Sequence, residues 1–212
     1  MLRKWVVTNC INHQIDSNLY KRQKENVKLS NFENKIPLFQ SEMAKNMMKD
    51  PYIFELSNLK ENAVEKDIEK LMLERIKNLL LEFEKGFSFV GNQYKISTDN
   101  LDYYIDMLFY YLDLRCYIVV ELKNTNFKPE YIGQLNFYIT AVNKTLRKEC
   151  DNATIGLLLC KEKDKISVEW ALEGINNPIG VSSYETEKYI SKDILEKLPT
   201  EKDINLHIDI KN

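Results

Sequence analysis

The chain has 212 residues, 44% hydrophobic and 29% charged, enough apolar material for a core of about one domain with an appendage. Its 30 lysines and arginines against 32 aspartates and glutamates give a formal net charge of -2. That balance excludes a broad basic footprint for nucleic acid but is compatible with a local basic rim. Cys10, Cys116, Cys150 and Cys160 stand alone, which argues against a zinc finger or a redox pair and for reduced thiols in a cytoplasm. No apolar run is long enough for a bilayer, and no signal-peptide pattern opens the chain.

In chain order, "KWVVTNCINHQIDSNLYKRQ" spaces Ile11, Ile15 and Leu19 as on one helix face. "KENVKLSNFENKIPLFQ" is polar, carries Pro37, and reads as a linker or poorly ordered arm. A boundary is expected near Met48–Pro51, dividing an arm at 1–48 from a main domain at 49–199 and a charged tail at 200–212. The segment 63–84 is an amphipathic helix with Val64, Ile68, Leu71, Ile76 and Leu80 along its stripe. "FSFVGNQYKIS" is a strand in which Gly91 marks a bulge or turn. A long apolar hairpin, "YYIDMLFYYLDLRCYIVVELK", follows. A second amphipathic helix runs from Pro129 to about Glu149. "TIGLLLC" has the length and apolarity of a central buried strand. A short helix ends at Gly174, and "PIGVSSY" is a last strand. The order αβββαβαβ predicts an α/β (α+β) domain with a hairpin-bearing sheet flanked by helices.

The hairpin poses the chemical question. It carries Asp106 in mid-run and ends in Glu121 and Lys123. Antiparallel partners keep a constant sum of residue numbers, so a turn centred on Asp113–Leu114 sets Asp106 directly opposite Glu121. Their Cβ atoms would lie about 4.5–5.5 Å apart. Two carboxylates so placed repel; either one holds a proton or a divalent cation sits between them. Hard oxygen ligands point to Mg²⁺ or Mn²⁺ rather than zinc. Lys123, sharing the face of Glu121, could hold or activate a water for attack on phosphorus. The simpler alternative is a strand-end salt bridge between Lys123 and one acid. Glu69 lies on the stripe of the first helix, either facing the core with a partner or reaching out from the helix edge. Gln134 and Tyr138 share one face of the second helix.

Taken together, Glu69, Asp106, Glu121-Leu122-Lys123 and Gln134 resemble the pattern of the PDDEXK nuclease superfamily. "QLNFY" is similar to the Gln-x-x-x-Tyr motif of its RecB-type members. "GFSFVGNQYKI", "FKPEYIGQLNFYI", "IGLLLCKEKDKISVEWAL" and "PIGVSSY" look like one bacterial branch, the YhcG-like nucleases. The resemblance covers roughly 49–199. It implies a restriction-endonuclease-like αβββαβ core with a central mixed sheet. Members carry a full helical domain before the nuclease domain, so 1–48 is expected to be a shortened remnant of it.

By resemblance, Asp106, Glu121 and the Leu122 carbonyl would hold Mg²⁺ (or Mn²⁺), and Glu69 would assist through its hydration shell or a second ion. Lys123 would place or activate the attacking water, Gln134 would orient the lysine or phosphate, and Tyr138 would support that face. Lys128, Lys144, Arg147 and Lys148 are either phosphate contacts or solvated helix-face charges. Tyr103, Tyr104, Tyr110 and Tyr111 chiefly cover the sheet. The leading reading is a metal-dependent nuclease acting on DNA, with a homodimer suited to cutting both strands. Its rivals are a catalytically inactive nucleic-acid-binding or protein-interaction module on the same fold, and a structural partner subunit. No membrane partner and no organic cofactor are expected; six glycines leave little room for a phosphate-cradling loop, and the two histidines, His13 and His207, lie near the chain ends.

Overall fold

The computed structural model describes residues 28–55, 70–71, 73–78 and 86–187. Seven strands form one mixed sheet: β1 (Leu29–Ser30), β2 (Tyr52–Glu55), β3 (Phe87–Ser97), β4 (Asp102–Tyr111), β5 (Cys116–Lys123), β6 (Ile155–Cys160) and β7 (Ile179–Glu187). Their order is β1-β7-β6-β5-β4-β3, with β2 pairing parallel to β7 off that path. β3, β4 and β5 are antiparallel; β5, β6 and β7 are parallel. The four helices with assigned bounds are α1 (Phe32–Lys35), α2 (Leu38–Met47), α3 (Glu130–Thr145) and α4 (Lys165–Leu172). Residues 70–71 and 73–78 are also helical; the rest of the helix expected over 63–84, including Glu69, lies outside the described residues.

Helices cover both faces of the sheet, which explains why β6 is apolar at every position and buried throughout. One face packs on Ile132, Leu135, Ile139 and Val142 of α3 and on Val168 and Leu172 of α4. The other packs on Phe32, Ala44, Met47, Met48 and Ile76. α3 approaches β6 closely: a Cβ on Gly156 would stand 2.6 Å from Ile139 Cδ1. This contact fixes the height of α3 over the sheet, and hence of Gln134 and Tyr138.

Two expectations are corrected. Residues 28–40 of the stretch read as a linker are folded: Leu29 and Ser30 pair with Val181 and Gly180, and Phe32 is fully buried. Their polar composition hid a few large apolar side chains that fill the core. The helix expected to reach Glu149 stops at Thr145. Leu146 and Arg147 both donate to the Val142 carbonyl, and the Lys148 N–H turns to Asp151 Oδ2. No helix of the described residues is long and apolar enough to cross a membrane.

The β4–β5 hairpin has the expected register, with Tyr111 opposite Cys116 and Met107 opposite Val120. Asp113 and Leu114 are the centre of a four-residue turn, residues 112–115, closed by Arg115 N–H donating to Leu112 O at 3.1 Å. Arg115 takes a left-handed φ of 46°. Asn152 pins the turn by donating to the Leu114 and Arg115 carbonyls.

Candidate active site

The β4–β5 ladder ends at Met107–Val120, yet both strands continue. β4 follows β3, whereas β5 stays with β6, pairing Glu121 with Leu158 and Lys123 with Cys160. The two strands therefore fork, and the fork opens where Asp106 meets Glu121. A fork strips backbone groups of their ladder partners, and buried N–H groups need new ones. The carboxylates supply them. Leu122 N–H donates to Asp106 Oδ2 at 2.9 Å, and Asp106 N–H donates to Glu121 Oε1 at 3.2 Å.

From there a chain of polar contacts crosses to α3. Lys123 Nζ lies 3.3 Å from Glu121 Oε2 and donates to Gln134 Oε1 at 3.0 Å. Gln134 Nε2 donates to Tyr138 Oη at 3.0 Å. The Lys123 ammonium also stands 5.4 Å from the centre of the Tyr131 ring, an attractive cation–π placement. Asp106, Glu121 and Lys123 thus meet as the hairpin register predicts, and Gln134 and Tyr138, on one helix face as their spacing predicts, join them as the family resemblance implies.

Burial shapes the electrostatics. Glu121 is 2% exposed, and desolvation, reinforced by the nearby charge of Asp106, pushes its carboxyl up to about 8. Desolvation raises Asp106 too, against the opposing pull of the Leu122 N–H and the Lys123 charge. Without a cation, the two carboxyls resist ionising together. A hard divalent ion fits this donor set: two carboxylates and the Leu122 carbonyl, which shares the side of its own N–H and so faces the fork. Among the described residues no three His, Cys, Asp or Glu side chains converge on a metal-sized gap.

The basic residues divide. Lys128 is beside the fork, 3.8 Å from Glu130 and 6.0 Å from the Tyr131 ring centre. Lys144 lies in the last turn of α3, about 15 Å along its axis from Gln134, and Arg147 and Lys148 lie beyond the helix end. Arg147 and Lys148 hold the turn at Asp151 through Arg147 Nε to Asp151 O and Lys148 N–H to Asp151 Oδ2.

Three contacts at the fork have no counterpart in the sequence reading. Gln93 Nε2 donates to Asp106 Oδ1 at 3.0 Å. Tyr184 Oη lies 3.4 Å from the Lys123 carbonyl oxygen. Thr125 Oγ1 and Tyr131 Oη are 2.7 Å apart. Asp50 accepts from the Ser183 N–H and hydroxyl and pairs with Lys163, fastening the segment before β2 to the middle of β7 and to the loop after β6. The Gly91 bulge signal was the one available pointer to Gln93.

The family model described as the YhcG PDDEXK nuclease domain matches residues 45–201. A protein of Escherichia coli (strain K12) named "Putative nuclease YhcG" is 30% identical over 151 residues, 71% of this chain and 40% of that protein. The chain therefore spans less than half the length of that relative. Two solved structures are distant likenesses. The EndoMS-dsDNA2 complex shows 18% identity and a TM-score of 0.40 over 62% of this chain and 48% of that one. A repair endonuclease from Pyrococcus abyssi shows 15% identity and a TM-score of 0.38 over 61% and 49%. With a family match over most of its length, coinciding with the strands and helix that build the fork, the chain belongs to the YhcG PDDEXK nuclease domain family.

Proposed function

We propose that the fork is the active site of a nuclease that hydrolyses phosphodiester bonds of DNA with the aid of Mg²⁺ or Mn²⁺. The observation that carries this reading is the placement of the Lys123 ammonium between the buried Glu121 carboxyl, itself opposite Asp106, and Gln134. Asp106, Glu121 and the Leu122 carbonyl are the proposed ligands, with Glu69 as a further acid from the first helix. When bound, the cation would polarise the scissile phosphate and offset its developing negative charge.

The protein's own groups do the rest. Lys123 holds and orients the attacking water from the side of Gln134. Gln134, fixed by Tyr138, keeps the long lysine side chain in one rotamer, so little orientation is lost when substrate binds. Glu121, while it pairs with Lys123, keeps the ammonium over the fork. Lys128 and the Tyr131–Thr125 pair form the rim on which a phosphate backbone would rest. Lys144, in the last turn of α3, and Arg147 and Lys148, beyond its end, take no part in this proposal.

The test is a cleavage panel: duplex, branched and single-stranded DNA, and RNA, each with Mg²⁺ and Mn²⁺, with Lys123→Ala as control. Metal-dependent cutting of DNA that the variant loses supports the reading. Cutting that survives Lys123→Ala contradicts it, and salt-sensitive DNA binding without cutting under any metal identifies a binding module instead.

A further inference from the structure

Apart from the bulge signal at Gly91, nothing in the sequence points to Gln93, yet the register of β3 shifts to bring it to Asp106. β3 and β4 pair Phe89 with Phe109 and then, after a one-residue shift, Gly91 with Leu108 and Tyr94 with Ile105. Without the extra residue at the bulge, Asn92 would stand opposite Asp106; with it, Gln93 does. Gln93 is a non-glycine residue with φ of 45°, in mid-strand. A left-handed backbone at a non-glycine residue is strained and persists only where the surroundings demand it. β4 is irregular at the same place: Ile105 and Leu108, three residues apart, both pack in the layer with α3, which simple alternation forbids.

This distortion leaves Asp106 held at both oxygens. Gln93 Nε2 donates to Oδ1 at 3.0 Å and Leu122 N–H to Oδ2 at 2.9 Å. A carboxylate gripped at both ends cannot swing out of the fork. Gln93 itself is exposed, so packing gives no reason for a strained glutamine there; its one polar contact does.

We propose that Gln93 is a positioning residue: its bulge-aligned, left-handed backbone delivers a carboxamide that fixes the Asp106 carboxylate in the orientation that receives the cation. This inference rests on the nuclease reading above and extends it to a residue on the edge strand.

Gln93→Gly tests it, because glycine accepts the left-handed backbone while deleting the carboxamide. Three quantities are compared with wild type: metal-free melting temperature, Mn²⁺ affinity by calorimetry, and kcat and KM for DNA cleavage. The expected result is an unchanged or raised melting temperature, Mn²⁺ binding weakened about 10- to 100-fold, and reduced kcat with KM for DNA unchanged. Wild-type Mn²⁺ affinity in the variant overturns the inference, as does a loss of affinity only in step with a lowered melting temperature. A wild-type protein that binds Mn²⁺ but cuts no nucleic acid sinks the nuclease reading alone, and the calorimetric comparison still decides the role of Gln93. Absence of Mn²⁺ binding in wild type overturns both.

Discussion

Asp106 and Glu121 are joined through the main chain as well as opposed across the fork: the Asp106 N–H donates to Glu121 Oε1 at 3.2 Å. The acid on one strand thus serves as the ladder partner that the other strand has lost. The fork is held open by the groups proposed to do its chemistry, so removing either acid disturbs backbone satisfaction and ligand supply together.

The pH dependence of metal-free stability follows from Glu121. Below about pH 4.5 its carboxyl is protonated in the folded and unfolded chains alike. As pH rises from there towards about 8, the unfolded chain gives up the proton and the folded chain keeps it, so folding loses stability across this window. Glu121→Gln removes that penalty. Thermal melts without metal should show the variant gaining on wild type as pH rises through the window, by on the order of a few kcal/mol. A stability difference independent of pH would contradict the buried, cation-free carboxyl.

Tyr138→Phe deletes the hydroxyl that accepts from Gln134 and leaves the buried ring in place. The net loss of such a hydrogen bond is about 1 kcal/mol, or about fivefold if all of it appears in the transition state. The expected outcome is kcat lowered by about that factor with the melting temperature nearly unchanged. Kinetics identical to wild type would show that Gln134 needs no backing.

The hairpin register was legible in the sequence because two acids interrupt an apolar run and one turn position fixes every pair. The Gln134–Tyr138 contact was legible from helical spacing alone. Gln93 was legible only in part: Gly91 signals a bulge or turn, but not which residue of the next strand the shifted register sets opposite Gln93. The left-handed Arg115 was hidden for a related reason: the turn is pinned from a distant loop by Asn152. Residues 28–40 were misread because composition averages over Phe32 and Ile36, and burial depends on those few positions. The expected reach of the second helix to Glu149 would have carried Lys144, Arg147 and Lys148; the helix stops at Thr145, so only Lys144 is on it, at the end away from Gln134.

Lys163 and Asp50 form a nearly buried ion pair, 9% and 4% exposed, that ties the chain before β2 to the loop after β6. Lys163→Met removes the ammonium that Lys163 supplies to the Asp50 carboxylate. A loss of about 3–5 kcal/mol is expected on denaturant unfolding. A loss below about 1 kcal/mol would mean that the pair with Lys163 is not what holds the segment.

The most direct test of the central claim is calorimetric titration of Mn²⁺ into wild type and Asp106→Ala in buffers of different ionisation heat, near neutral pH. The account predicts that wild type binds Mn²⁺ and releases a proton as it does so, because the Glu121 carboxyl enters the reaction protonated, and that Asp106→Ala shows no such binding. Equal affinity and equal proton release in the two proteins would contradict it.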